Sequence, residues 1–312
     1  MMRRAAFLIL AAATLAACSS GNDSSGDGGQ LSVVAAFYPL EEAARGVGGD
    51  LVKVTSLTPA GQSPHDLELQ ARQVQTIEKA DVVVFLGRGF QPQVDDAVKG
   101  APGTVSRLDV LDTVKLLPVD QQLAGTSGDV DGEVLEGDVD PHVWLDPSRM
   151  ITVVDAITER FATVDPAHAS TYRDNSAAYL KNLTGLDGEY RSGLADCRSR
   201  VIVTSHRAFG YLANTYGLRQ IPIAGISPEV EPDAKTLEAI AAEAKREGVT
   251  TIYLESIAPP KLTETVAKEI GAKLDLLDPV EGLTKKEIDK GATYASIMRE
   301  NLGRLRSGLG CR

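Results

Sequence analysis

Residues 81–86 (DVVVFL) decide the fold. Val82, Val83 and Val84 are consecutive β-branched residues followed by Phe85 and Leu86. The run does not alternate, so both faces of the strand it predicts must be covered. Strands of that kind belong to parallel sheets, whose crossover helices lie on the two faces. The flanking segments agree. Residues 67–79 (LELQARQVQTIEK) have helical spacing, with Leu69, Val74 and Ile77 inward, and residues 51–57 (LVKVTSL) alternate like a strand. Residues 31–37 (LSVVAAF) form another apolar strand, the stretch 39–47 is helical in pattern and stops at Gly48-Gly49, and residues 104–108 form a weaker strand.

The alternation resumes further on. Strands fit residues 200–204, 218–223, 250–254 and 273–277, helices fit 207–215, 233–247 and 260–270, and 285–307 makes a terminal helix. Gly217, Gly248 and Gly271 stand where helices end. Between the two halves, residues 148–163 carry Ile151, Val154, Ile157 and Phe161 at helical spacing. Asp165-Pro166 then reads as a helix start, and a second helix runs to about Leu194, roughly 40 Å at 1.5 Å per residue. Such a helix is a stiff strut between two α/β halves. Residues 118–141 break the pattern with four glycines, seven acids and too few apolar residues to build a core, and read as a surface loop.

The N-terminus reads differently. Arg3 and Arg4 precede a short apolar run, residues 5–17, that is too short to span a bilayer comfortably. Leu15-Ala16-Ala17-Cys18 resembles a bacterial lipobox, in which the signal is cut before a cysteine that is then lipidated; a plain secretory signal is the alternative. Residues 19–30 contain no apolar residue and read as a tether. Net charge over the 312 residues is −11, without a basic stripe, which argues against a nucleic-acid partner. With Cys18 assigned to the lipid, Cys197 and Cys311 are an even pair in an oxidising compartment. A disulfide between them would pin the last helix to the start of the second half; two free thiols are the alternative.

The chain has four histidines. His65 follows the 51–57 strand, His142 follows the acidic loop, and His206 follows the 200–204 strand. Ligands of open α/β sheets gather at the carboxyl ends of strands, and Asp278 ends another. Three imidazoles and one carboxylate make a tetrahedral donor set for zinc. Spacing alone is weak support, because isolated histidines are more often packed or hydrogen-bonded. Glu255, which also ends a strand, could support a ligand or replace Asp278, as could a water molecule. Asp66 could orient a ligand histidine or make only a local turn contact. Trp144 and Phe209 read as cleft wall, and His168 as surface.

The strings SPHDLEL, DPHVWLDP, TSHRAFGYLANTYGL, GISPEVEPDAKTL, IYLES and LLDPVEGL, taken in order, resemble the metal-binding solute receptors of bacterial ABC importers, the zinc/manganese class. The likeness covers roughly residues 31–307. It implies two Rossmann-like α/β lobes with parallel sheets joined by one long rigid helix: an N-terminal lobe at 31–165, the helix at 166–196 and a C-terminal lobe at 197–312. It places metal ligands at His65, His142, His206 and Asp278, in the cleft between the lobes. Members that bind manganese tend to carry Glu at the third position, so His206 favours Zn²⁺ over Mn²⁺. The implied role is an extracytoplasmic receptor, monomeric, lipid-anchored to the membrane through Cys18 and delivering Zn²⁺ to an ABC permease without catalysing a reaction. A manganese or iron receptor is the alternative. Many zinc members have a His-rich loop before the second ligand; residues 118–141 stand there and contain no histidine before His142. A secreted zinc hydrolase is the remote alternative: the chain lacks HExxH, GxSxG and a phosphate loop.

Overall fold

The computed structural model describes residues 29–117 and 139–312. The signal-like segment, Cys18, most of the tether and nearly all of the acidic loop lie outside the described residues. The first sheet contains β1 (Leu31–Ala35), β2 (Val52–Ser56), β3 (Val82–Phe85) and β4 (Ser106–Asp109), ordered β2-β1-β3-β4. Every pairing is parallel. Val82 to Phe85 are buried on both faces, as an unalternating run requires. The second sheet repeats this order as β6-β5-β7-β8, with β5 at Val201–Thr204, β6 at Arg219–Pro222, β7 at Thr251–Leu254 and β8 at Lys273–Leu276. Its pairings are parallel too. In each sheet the chain direction of progression reverses between the two central strands, which leaves a crevice at their carboxyl ends.

The sheets are connected through α-helical layers. The helices of the first half are α1 (Tyr38–Gly48), α2 (Ala71–Glu78), α3 (Pro92–Gly100) and α4 (Pro147–Val164). The strut is α5 (Ala169–Gly193), preceded by a single 3-10 turn at Pro166–His168. Its 25 residues span about 37 Å. Near its N-terminal end Tyr172 stacks edge-on against Phe161 of α4 at 5.5 Å, and Asn175 donates to the Val47 carbonyl of α1. Near its C-terminal end the Tyr190 hydroxyl donates to Met298 of the last helix at 2.7 Å. One helix therefore packs on both lobes.

The second half adds α6 (Gly210–Tyr216), α7 (Ala234–Arg246), α8 (Lys261–Ile270), α9 (Lys285–Asp289) and α10 (Tyr294–Leu309). A single terminal helix over 285–307 is not what forms. The helix breaks at Gly291, which takes φ 66°, and the two pieces have separate capping boxes at Thr284 and Thr293. A further helix, α3, forms over nine residues that carry two adjacent aspartates, Asp95 and Asp96, and is not among the helices expected from the sequence pattern. Gly217 and Gly271 end their helices in the left-handed conformation, as read.

A large apolar core runs under the first sheet and continues through α4, α5, α6 and α10, so it does not stop at the lobe boundary. Polar ties cross the same boundary. Glu42 of α1 accepts the backbone N–H of Tyr294 at 2.7 Å, and Asp146 at the start of α4 accepts the hydroxyl of Thr215 in α6. No helix among the described residues is long and apolar enough to cross a membrane.

Cys197 and Cys311 are joined by a disulfide that closes a loop of 114 residues. Loop-closure entropy for that length stabilises the fold by about 4–5 kcal/mol. The double variant Cys197→Ser/Cys311→Ser should lose stability of that order in a urea melt; a loss below about 1 kcal/mol would show that the linkage contributes little beyond the packing of α10 on α5.

Candidate metal centre

Three of the histidines meet where the carboxyl ends of the strands face one another. His65 lies in the turn after β2, next to Pro64, whose carbonyl accepts the side-chain amide of Gln91 at 3.1 Å. Its ring packs edge-on against Phe90, with centroids 4.8 Å apart. His142 precedes a 3-10 turn at Val143–Leu145. Asp140 accepts both the backbone N–H of His142, at 2.9 Å, and its ring Nδ1, at 2.8 Å. His206 follows β5, and Glu255 at the end of β7 holds it in the same way, through its backbone N–H at 3.1 Å and Nδ1 at 2.6 Å. A carboxylate on Nδ1 fixes the tautomer and orientation of an imidazole and leaves Nε2 as a lone-pair donor. The Nε2 atoms of His142 and His206 lie 3.3 Å apart.

The fourth member is Glu281, not Asp278. Ligand atoms of His65, His142, His206 and Glu281 all lie within 4.8 Å of one another. Glu281 Oε1 is 3.4 Å from His65 Nε2, 3.3 Å from His206 Nε2 and 3.8 Å from His142 Nε2. Tetrahedral donors at the Zn–N and Zn–O distances would be about 3.3 Å apart. The cage thus fits zinc with little adjustment. Asp278 has other partners: its carboxylate accepts the Ser256 hydroxyl at 2.5 Å and the Val280 N–H at 2.7 Å. Between the two acids, Val280 has φ 54°. For a β-branched residue this left-handed backbone costs about 1–3 kcal/mol and turns the chain so that Glu281 is the acid delivered to the cage. Glu255 is likewise a partner of His206 rather than a member of the group.

Burial and charge oppose each other here. Burial disfavours the charged form of His142 and wins over Asp140, so its pKa falls. Burial also opposes charge on His206, but Glu255 and Glu281 outweigh it and raise its pKa to about 10. Glu281 is pulled below the usual carboxylate range by His65 and His206 despite its burial. Asp278 is pushed up to about 6, chiefly by burial. The cage is an anionic carboxylate among imidazoles, a setting that holds one positive charge.

A wall of aromatics closes the site on the N-terminal side. Trp144 packs 5.0 Å from His142 and 4.8 Å from Phe37, and its indole N–H donates to the Pro279 carbonyl at 2.8 Å. Phe209 is fully buried. His168 is half-exposed and pairs with Asp165, away from the cage.

The comparison with known proteins follows the same line. The family described as "ZnuA: Zinc-uptake complex component A periplasmic" matches residues 33–308. The chain belongs to this family. The zinc-binding protein AdcA of Streptococcus pyogenes serotype M18 (strain MGAS8232) is 37% identical over 292 residues, 89% of this chain and 56% of AdcA. The chain therefore spans little more than half the length of that relative. The high-affinity zinc uptake system protein ZnuA of Bacillus subtilis (strain 168) is 36% identical over 309 residues, 98% of this chain and 95% of the relative. The Zn(II)-bound ZnuA-like domain of Streptococcus pneumoniae AdcA superposes with a TM-score of 0.76 at 34% identity, covering 90% of this chain and 99% of that one. These likenesses carry the fold of two parallel-sheet α/β lobes.

Glu281, Asp140 and Phe90 are the residues the sequence reading did not place. The string LLDPVEGL held both acids, and only the backbone at Val280 separates them. The single tryptophan of the chain is a built-in reporter. Because Trp144 touches His142 and bonds to the turn that carries Glu281, a divalent cation entering the cage should shift or quench its emission in one saturable step. Unchanged emission, with binding established by a second method, would show that the wall does not sense the cage.

Proposed function

We propose that the protein is the extracytoplasmic receptor of an ABC-type zinc importer, capturing Zn²⁺ between its lobes with His65, His142, His206 and Glu281 and passing it to a membrane permease. One observation carries this reading: four protein donors from four separate segments lie buried within 4.8 Å of one another, with the Glu281 oxygen 3.3 Å to 3.8 Å from the three imidazole nitrogens, close to the edge of a zinc tetrahedron. Four protein donors complete a tetrahedral shell, and with no position left for a bound water the cage suits capture rather than hydrolysis. A donor set of three nitrogens and one oxygen favours zinc over manganese, which prefers an oxygen-rich, six-coordinate shell. The family's description as a zinc-uptake component supports the role and the compartment. Anchoring through a lipid on Cys18, a monomeric state, and the division into an N-terminal lobe to Asp165, a helix through Asp196 and a C-terminal lobe from Cys197 belong to the same reading.

Isothermal titration of the chain from Cys18 onward, stripped of metal, tests it. We expect one Zn²⁺ per chain, bound far more tightly than Mn²⁺ in direct competition. His65→Ala, His142→Ala and His206→Ala should each weaken binding by about 100-fold or more, the cost of removing a buried donor. Failure to bind zinc, or preference for Mn²⁺, would overturn the reading.

The pH dependence has a definite sign. His206 retains its proton to about 10 in the metal-free protein, so Zn²⁺ must displace a proton at neutral pH. Affinity should therefore fall as pH drops from 8 to 6, by about tenfold per unit for each proton displaced. The number displaced can be read from binding enthalpies in buffers of different ionisation heat; flat affinity across that range would contradict the sign.

A further inference from the structure

Two consecutive residues at the end of β7 support the part of the cage contributed by the second lobe, one on His206 and one on Asp278, three residues before Glu281. Glu255 holds the ring of His206. Its neighbour Ser256 donates its hydroxyl to Asp278. Asp278 is 2% exposed and fully engaged: its backbone N–H donates to Asn301 Oδ1 at 2.9 Å, its carbonyl accepts Asn301 Nδ2 at 2.7 Å, and its second carboxylate oxygen accepts the Val280 N–H at 2.7 Å. Asn301 lies on α10, which packs on the strut. The residue so clamped is followed at once by the left-handed Val280 and then by Glu281.

We propose that Asp278 is the positioning residue of the fourth ligand: braced by Ser256 and Asn301, its carboxylate locks Val280 in the left-handed conformation and thereby sets Glu281 Oε1 opposite the three imidazoles. The proposal rests on the zinc reading above. It assigns to the Glu255-Ser256 pair the placement of both second-lobe ligands, one directly and one through Asp278. Without the clamp, Val280 relaxes toward negative φ and the carboxylate of Glu281 leaves the cage. Asp278 acts through its two hydrogen bonds and not through its charge. Asparagine can make both, its carbonyl oxygen accepting from Val280 and its amide donating to the Ser256 oxygen.

A double-mutant cycle on zinc affinity tests this, because groups that act on one ligand are non-additive. Asp278→Ala should weaken zinc binding by about 10–100-fold, the usual effect of removing a ligand's support. In the Glu281→Ala background the same change should cost nothing further. Asp278→Asn should recover more than half of the loss on a logarithmic scale. Ser256→Ala, which removes one bond of the clamp and keeps the rest of the turn, should show a smaller loss that also vanishes in the Glu281→Ala background; it serves if Asp278→Ala does not fold. The clamp is refuted by full additivity with Glu281→Ala, by a failure of asparagine to rescue, or by wild-type affinity in Asp278→Ala or Ser256→Ala. It is also refuted if Glu281→Ala binds zinc like the wild type, since Asp278 would then have no ligand to place. Absence of zinc binding by the unaltered protein is a different result and removes the receptor reading itself.

Discussion

The rest of the structure depends on one close approach: three imidazole nitrogens and a carboxylate oxygen brought together out of reach of water. Glu281, His142 and His206 are buried, and the His65 side chain is 1% exposed. Left alone, such a group would carry the desolvation cost of a buried anion and of several lone pairs aimed at each other. The protein offsets part of this with charge. A proton on His206 between Glu255 and Glu281 satisfies the carboxylates when no other cation does. A dication at the same point replaces that proton and meets all four donors at once. The cost of assembling the site in advance is thus what makes capture favourable: its geometry and electrostatics are incomplete without a positive charge.

Positioning four donors from four segments requires both lobes to be held in register. The sheets provide the coarse placement, since His206 stands in the turn directly after β5 and His65 in the connection that leaves β2. The fine placement comes from carboxylates that each grip a backbone N–H and a ring nitrogen of one histidine. Between the lobes the contact is continuous. Trp144 bonds to Pro279, the Tyr294 hydroxyl bonds to the Trp144 carbonyl at 2.6 Å, and the Tyr211 hydroxyl bonds to the Asp140 carbonyl at 2.8 Å. A wide hinge would break these buried bonds together and split a core that crosses the boundary. Metal exchange in such a frame calls for small displacements of the ligand-bearing turns, with α5 keeping the lobes together.

Much of this was legible in the sequence because the responsible signals are local. Three valines in a row specify a strand covered on both faces, and glycines 217 and 271 mark helix ends by their backbone freedom. The three histidines could be found because each stands where the sequence leaves a strand or a loop. Glu281 could not be found this way. It lies three residues beyond Asp278, and the choice between the two acids is made by Val280, a residue whose type argues against the left-handed turn it adopts. The acid that accepts the Val280 N–H, Asp278, is itself held by tertiary bonds to Ser256 and Asn301, which no local pattern encodes. Glu255 was legible as a strand-end acid that could support a ligand, and it holds His206, 49 residues away; the role of Asp140 is hidden, because a carboxylate two residues from its histidine looks like any other acid of its loop. The break between α9 and α10 was missed because the apolar periodicity continues across Gly291.

The coordination shell of the zinc-loaded protein tests the central claim most directly. X-ray absorption at the zinc edge should show a four-coordinate ion with the outer-shell scattering of three imidazoles and a single oxygen donor, all at about 2.0–2.2 Å. A six-coordinate, oxygen-rich shell, or one with fewer than three imidazoles, would show that the buried group formed by His65, His142, His206 and Glu281 is not where the metal is held.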